Sequence, residues 1–140
     1  MKRLSREDLL KKEELRIEEV KLGGDDVVNV RQMTGRERDQ FEQSLLKEVK
    51  GEKGETKLER SLDDFRAKLA VCTVCDQAGV LLLKSRDISL LSQNMSAARL
   101  EKIVNKAQAL NKISEEDKEN LVKNSEAAQN DSSISDSVVS

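Results

Sequence analysis

The sequence predicts an α+β fold that is mostly α-helical, and three observations favour it. The 140 residues include no proline, so the strongest helix breaker is missing. Aromatic residues make up only 1% of the chain, and a core of Leu, Val, Ile and Ala suits small helical packing better than a β-sandwich. Apolar residues mostly recur at helical spacing, whereas clear alternation with polar residues is confined to a region near the N-terminus.

Residues 1–50 are predicted to hold a short helix, a β-hairpin and a second helix. Ser5 is a candidate N-cap for a first helix over about 6–14. Apolar and polar residues alternate in 15–22 and again in 27–33, with a glycine-rich turn between them, and this pattern predicts the hairpin. Because a lone hairpin is barely stable in water, it must pack on a helix or join a strand of another copy.

A capping box predicts where the second helix begins. The Thr34 hydroxyl is placed to accept the Glu37 N–H, and the Glu37 carboxylate is placed to accept the Thr34 N–H. Phe41, Leu45 and Val49 follow at i, i+4 and i+8, which predicts the apolar face of that helix.

The chain is predicted to divide at a flexible linker over 51–60. Residues 51–57 contain two glycines, four charged residues and no apolar one. Residues 61–123 are then predicted to form a small helical bundle. The tail 124–140 carries three acidic residues and no basic one, and it is predicted to be disordered because it buries too little to offset its ordering entropy.

Serine residues mark the predicted helix starts of the C-terminal part: Ser61, Ser85, Ser96 and Ser114. The helix after Ser96 has the clearest apolar stripe of the chain, formed by Leu100, Ile103, Val104, Ala107 and Leu110. Such a stripe either packs in the core or binds a partner helix. We predict that Leu100, Ile103 and Val104 contribute to a partner-binding groove.

Cys72 and Cys75 form a C-x-x-C motif, which raises metal and redox chemistry as alternatives. A structural zinc site needs four Cys or His ligands, and the chain has two Cys and no His, so only a dimer sharing one site would suffice. A thioredoxin-like motif needs a strand-to-helix βαβ context, which the pattern lacks. We therefore interpret both residues as small buried side chains of one helix, with slowly reacting thiols. A strand is the alternative for the Val-Cys-Thr-Val run at 71–74. Residues 80–83 are predicted to be a short buried extended segment.

Composition narrows the function classes further. The absence of histidine excludes His general bases and His metal ligands, and no nucleophile–base pair stands out, so no enzymatic activity, metal or other cofactor is predicted. With 25 basic and 27 acidic residues interleaved, no basic patch favours nucleic acid. No apolar stretch approaches the roughly 20 residues that span a bilayer, and no signal peptide is expected, which predicts a soluble cytoplasmic protein.

The hairpin turn, the second strand and the start of the second helix carry a distinctive run: Gly23, Gly24, Arg31, Thr34, Gly35, Arg36, Glu37, Arg38, Asp39 and Phe41. A glycine pair is followed by an apolar-Arg strand and by a Thr-Gly-Arg-Glu-Arg-Asp helix start. This run resembles the tail assembly chaperones of long-tailed phages and prophages, particularly those of Gram-positive hosts. Two later zones, 70–79 and 91–124, are similar as well, so that the resemblance covers about residues 10–124.

The resemblance implies a non-enzymatic factor that acts in the bacterial host cytoplasm and is absent from the mature virion. Such chaperones bind and solubilise the long, helical tape measure protein and promote assembly of the tail tube around it. A frameshifted longer product often contacts the tail tube protein, and the polar tail at 124–140 is compatible with the shorter product. A second copy of the chain is a further candidate partner, whereas neither nucleic acid nor a membrane is expected.

Two other functions remain as alternatives. The chain would be a permanent tail or connector component of the virion if its apolar stripes served a lasting interface. It would be a small helical regulatory protein if it bound nucleic acid, and salt-dependent retention on DNA would then mark it.

Overall fold

The structure is a computed structural model of the chain and describes residues 1–113. Its elements follow one another in this order: α1 (Arg6–Leu10), β1 (Ile17–Gly23), β2 (Asp26–Arg31), α2 (Gly35–Gln43), β3 (Leu46–Lys50), β4 (Thr56–Arg60), α3 (Phe65–Thr73), β5 (Val74–Cys75), α4 (Ile88–Asn94) and α5 (Ala97–Asn111). A short 3-10 turn, Ser85–Asp87, leads into α4. The predicted α+β class is confirmed. The helix predicted after Ser114 and the tail 124–140 lie outside the described residues.

The predicted N-terminal hairpin is present. β1 and β2 pair antiparallel, with Ile17 opposite Arg31 at one end of the ladder. Gly23 and Gly24 close the hairpin with φ angles of 125° and 60°, a region that residues with a side chain rarely adopt. β2 also pairs with β5, which gives a three-stranded antiparallel sheet in the order β1-β2-β5.

One face of this sheet, here called the inner face, lies against helices α3 and α5. Its buried side chains include Val20, Val30 and Val74. α5 packs across β1 and β2, and α3 packs against α5 and β2. The apolar core therefore sits between the sheet and these two helices.

The segment predicted as a flexible linker, 51–60, instead forms the turn and second strand of a hairpin. β3 and β4 pair antiparallel over their whole length in a separate two-stranded sheet. The Gly51 N–H donates to the Glu55 carbonyl oxygen at 2.7 Å across the turn. Most side chains of this hairpin are exposed. Because such a hairpin buries little, it lacks the apolar pattern by which strands are recognised in a sequence.

Helix α2 is shorter than predicted. It begins at the predicted capping box but ends at Gln43, and Val49 lies in β3. Phe41 and Leu45 are buried, as expected for the apolar face. The prediction failed at Val49 because a spacing of four residues fits one face of a helix and one face of a strand equally well.

The parts predicted to be separate, 1–50 and 61–123, share one core in the described residues. The ring of Phe41 packs edge-on against the ring of Phe65, with centroids 5.6 Å apart. Val30 of β2 is paired with Val74 of β5 in the same sheet. The C-terminal part is therefore not a purely helical bundle, because it completes the sheet that the N-terminal part begins.

Local corrections concern helix ends. α1 ends at Leu10 rather than near residue 14, although Ser5 caps it as predicted. α3 begins at Phe65 without a side-chain cap, and the Ser61 hydroxyl accepts the Asp63 N–H in a turn before it.

Among residues 1–113, no helix combines the length and the apolar content needed to cross a bilayer.

Candidate functional site

Several residues of the run from Gly23 to Phe41 come together at the junction of β2 and α2. Arg31 is only 6% exposed, and its two terminal nitrogens donate to the two carboxylate oxygens of Glu37, each at 2.8 Å. The Glu37 carboxylate also accepts the Thr34 N–H at 2.9 Å, and the Thr34 hydroxyl accepts the Glu37 N–H at 3.2 Å. The predicted capping box is thus confirmed, and its glutamate also fixes the strand to the helix.

Arg38 connects this junction to the end of α5. Its Nη1 donates to the Asn111 carbonyl oxygen at 2.9 Å, and the Asn111 Oδ1 accepts the Met33 N–H at 2.7 Å. The last carbonyl groups of a helix have no partner within the helix, so Arg38 satisfies one of them. Sequence reasoning missed the role of Asn111, whose only signal was a polar residue at a helix end. We call Arg31, Thr34, Glu37, Arg38 and Asn111 the polar joint.

The electrostatics of the polar joint favour the ionised pair. The hydrogen bonds from Arg31 hold the pKa of Glu37 below its ordinary value, and burial opposes this less strongly. The same bonds raise the pKa of Arg31. Because the carboxylate already accepts from Arg31 and Thr34, the pair positions the strand and helix and leaves little capacity for a ligand.

The other members of the run have separate places. Gly23 and Gly24 form the hairpin turn, Phe41 lies in the core, and Gly35 is the first residue of α2. Arg36 and Asp39 are exposed on α2. Most of the run therefore builds the fold, and its exposed charged side chains are those of Arg36 and Asp39 on α2.

The residues predicted to form a partner groove lie in the core instead. Leu100, Ile103 and Val104 are 5%, 2% and 1% exposed, and they pack with the inner face of the sheet and with α3. The apolar stripe predicts a partner-binding surface, and this prediction is wrong because the protein's own sheet covers the stripe. In this conformation they offer no surface to a partner.

The outer face of the three-stranded sheet borders two open clefts. The β1–β2 register places Glu19, Lys21, Val27 and Asn29 on this face, opposite to the inner face. One cleft, of about 720 Å³, lies between residues 12–17, the Arg31–Glu37 pair and the turn around Gly79. Six of its twelve lining residues are charged: Lys12, Glu13, Glu14, Arg16, Arg31 and Glu37.

The second cleft, of about 540 Å³, is lined by residues of β2, β5 and the segment that follows β5. Three apolar members of its lining are Val27, Ala78 and Leu82, and we call them the apolar cleft. Val27 is 49% exposed and Leu82 is 57% exposed. The predicted burial of residues 80–83 is therefore wrong: Val80 and Leu82 face solvent, and Leu81 and Leu83 are only partly buried. Leu81 does form a backbone bridge with Cys75, as fits an extended segment.

Helix α1 exposes a further set of apolar side chains. It has a complete capping box between Ser5 and Asp8, yet none of its residues is buried. Leu4, Leu9 and Leu10 are all exposed. The helix is thus stabilised at its start but has no apolar partner within residues 1–113.

The two cysteines are free thiols in different elements. Cys72 lies in α3 and is partly buried, whereas Cys75 lies in β5 rather than in the predicted helix and is fully buried. Burial is the main reason why the pKa of each thiol is raised. Within residues 1–113, no cluster of three or more Cys, Asp or Glu side chains is arranged to hold a metal ion.

We expect both thiols to react slowly with a thiol reagent in the native protein, and Cys75 to react more slowly than Cys72. A raised pKa leaves little of the reactive thiolate near neutral pH, and burial limits access as well. The measurement is the rate of disulfide exchange with and without denaturant, with Cys72→Ser and Cys75→Ser assigning each kinetic phase. A rapid native phase that disappears in Cys75→Ser would contradict the expectation.

Comparison with known proteins leaves this chain without a matching relative. No protein-family model, no curated protein and no solved structure matches it.

Proposed function

We propose that the protein is a tail assembly chaperone of a long-tailed phage or prophage, which binds and solubilises the tape measure protein in the host cytoplasm. The observation that carries the proposal is the polar joint. Arg31, Thr34 and Glu37, three residues of the run that resembles this family, are hydrogen-bonded to one another. Arg38 of the same run is joined to them through Asn111, which accepts from Arg38 and donates to the Arg31 carbonyl oxygen. A run whose members depend on one another is better support for a resemblance than a run of similar composition.

The exposed apolar residues are the features suited to a helical client. A tape measure protein presents amphipathic helices, and such helices bind by placing apolar side chains into apolar grooves. Val27, Ala78 and Leu82 offer such a groove on the outer face, and Leu9 and Leu10 of α1 offer a second contact. A few modest apolar contacts also suit a factor that must leave before the tail is complete.

In this proposal the chain has no catalytic role and remains outside the finished virion. Contact with the tail tube protein belongs to a frameshifted longer product, in which the described residues would be shared with the shorter one. The apolar cleft then contacts the tape measure protein in both products.

The double variant Val27→Asp/Leu82→Asp is expected to lose most of its ability to keep the tape measure protein soluble. Full burial of one such side chain contributes about 1.5–3 kcal/mol, so replacing two with charged residues should weaken binding by tenfold or more. The measurement is the soluble fraction of the tape measure protein encoded in the same phage or prophage genome, co-expressed with each variant.

The matched control is Leu58→Asp/Leu90→Asp, which adds the same two charges at comparably exposed leucines of β4 and α4. Its rescue of the client should equal that of the unaltered chain, and thermal unfolding should show that all variants fold. Equal rescue by the double variant would contradict the cleft assignment. Failure of the unaltered chain to rescue, or its presence in stoichiometric amounts in purified particles, would contradict the function itself.

A further inference from the structure

Strand β1 is an open edge of the three-stranded sheet. The sheet order places β1 outermost, and within residues 1–113 β1 pairs with β2 alone. The Gln32 N–H donates to the Arg16 carbonyl oxygen at 3.0 Å, and this bond sets the phase of the ladder. Backbone groups alternate in direction along a strand, so those of Glu19 and Lys21 point away from β2. Their N–H and C=O groups are available to another strand.

We propose that β1 pairs antiparallel with β1 of a second copy of this chain, about a two-fold axis at Val20. In that register Glu19 of each copy faces Lys21 of the other, on the outer face of the joined sheet. Each of these two pairs exchanges both backbone hydrogen bonds, because the outward-pointing groups of the two strands meet. The edge is thus complementary to itself in charge and in hydrogen bonding.

The charges select this register over its neighbours. Outward-pointing residues must meet outward-pointing residues, so the axis has to pass through a residue. An axis at Glu19 sets Glu19 against itself, an axis at Glu18 sets Glu18 against itself, and an axis at Lys21 sets Lys21 against itself. Like charges directly opposite one another destabilise a strand pair, whereas opposite charges stabilise it. Only the axis at Val20 among these four gives opposite charges and no like pair.

The inner face is compatible with this pairing. Val20, which is buried, lies opposite Val20 of the second copy, and this is an apolar pair. Glu18 lies opposite Leu22 of the second copy, but its carboxylate already accepts from the Lys106 Nζ at 2.9 Å. That bond is the main reason why the pKa of Glu18 is lowered. The Glu18 charge is therefore already compensated by Lys106 when Glu18 lies opposite Leu22 of the second copy.

Pairing through β1 places the outer faces of both copies on the same side of the joined sheet. Antiparallel neighbours in one sheet are related by an axis perpendicular to it, so both copies turn the same face to the same side. The two apolar clefts would then lie on one continuous surface. Because a short strand edge buries much less than the roughly 1,200–2,000 Å² of a stable complex, the dimer is expected to be weak and to depend on concentration.

Charge exchange at the edge tests the register. Glu19→Lys sets a lysine against Lys21 of the second copy at both pairs, and Lys21→Glu sets a glutamate against Glu19. Each single variant should weaken the dimer by roughly tenfold, because two attractive pairs become repulsive. The double variant Glu19→Lys/Lys21→Glu restores opposite charges and should dimerise like the unaltered chain. The measurement is sedimentation equilibrium over a wide range of protein concentration.

Controls and a backbone measurement complete the test. Glu48→Lys and Lys57→Glu make the same charge changes at exposed positions of the β3–β4 hairpin and should leave the dimer unchanged. Amide hydrogen exchange should show that Glu19 and Lys21 become protected as concentration rises, whereas Glu18 and Val20 are protected throughout.

A chain that stays monomeric at all concentrations would overturn the inference, as would single variants that dimerise normally or a double variant that fails to recover. All edge variants keep Val27, Ala78 and Leu82, so rescue of the tape measure protein reports on the proposed function separately. An unaltered chain that rescues the tape measure protein but forms no dimer would overturn the edge pairing alone.

Discussion

Replacing Glu37 with alanine is expected to lower the free energy of unfolding by about 3–5 kcal/mol, because it leaves the buried Arg31 guanidinium without its counter-ion. The carboxylate accepts from both terminal nitrogens of Arg31 and from the Thr34 N–H, so one substitution removes an ion pair and a helix cap together. Urea denaturation measures the change, with an unchanged slope indicating that only stability has altered.

The matched control is Glu42→Ala on the same helix. Glu42 pairs with Arg38, but both side chains are substantially exposed, so its loss should cost no more than about 1 kcal/mol. Arg31→Met combined with Glu37→Met should cost less than Glu37→Ala, since no buried charge is left unpaired. Equal losses from Glu37→Ala and Glu42→Ala would show that the Arg31 pair contributes no more than a surface pair.

The same pair should make the folded state sensitive to acid. The pKa of Glu37 is lowered in the folded protein, so the native state favours the ionised carboxylate more than the unfolded state does. Its contribution is therefore present above the ordinary pKa of a glutamate and is lost as the pH falls through the lowered folded value. Glu37→Gln should lower stability at neutral pH but show a smaller further loss in acid, and parallel pH profiles for the two proteins would contradict this.

Ile103→Ala is expected to cost about 2–5 kcal/mol of unfolding free energy, because it opens a cavity in the centre of the core. Ile103 is 2% exposed and packs between the sheet and α3. Leu90→Ala, at a leucine of α4 that is 61% exposed, serves as the control and should change stability by no more than about 0.5 kcal/mol. Chemical denaturation of the two variants under identical conditions measures the difference.

This comparison also separates a core role from a client-binding role for the stripe on α5. At temperatures where Ile103→Ala remains folded, it should rescue the tape measure protein as well as the unaltered chain does. Leu100→Asp places a charge in the core and should abolish folding altogether. A folded Ile103→Ala variant of normal stability that no longer rescues its client would place the binding groove along α5 after all.

The sequence by itself determined the elements whose signals are local. The alternation around Gly23 and Gly24 indicated the first hairpin, and the serine and threonine caps indicated where α2 and α5 begin. Each of these signals depends on residues only a few positions apart. The hydrogen bonds that fix the caps, from the Glu37 N–H to the Thr34 hydroxyl and from the Arg99 N–H to the Ser96 hydroxyl, form within the same local segment.

Tertiary structure decided what local pattern left open. The spacing of Leu45 and Val49 fits both a helix and a strand. In the folded chain α2 ends before Leu45, and Val49 lies in β3. β5 is only two residues long and becomes a strand because β2 offers it an edge.

The location of the candidate surface was also a tertiary outcome. The stripe of Leu100, Ile103 and Val104 has the pattern of a binding face, but the sheet covers it. The apolar side chains that stay exposed on the outer face include Val27 and Leu82. Arg38 meets the Asn111 carbonyl across 73 positions of sequence. Contacts between such distant positions depend on how helices and sheet pack together, and no spacing along the chain records that.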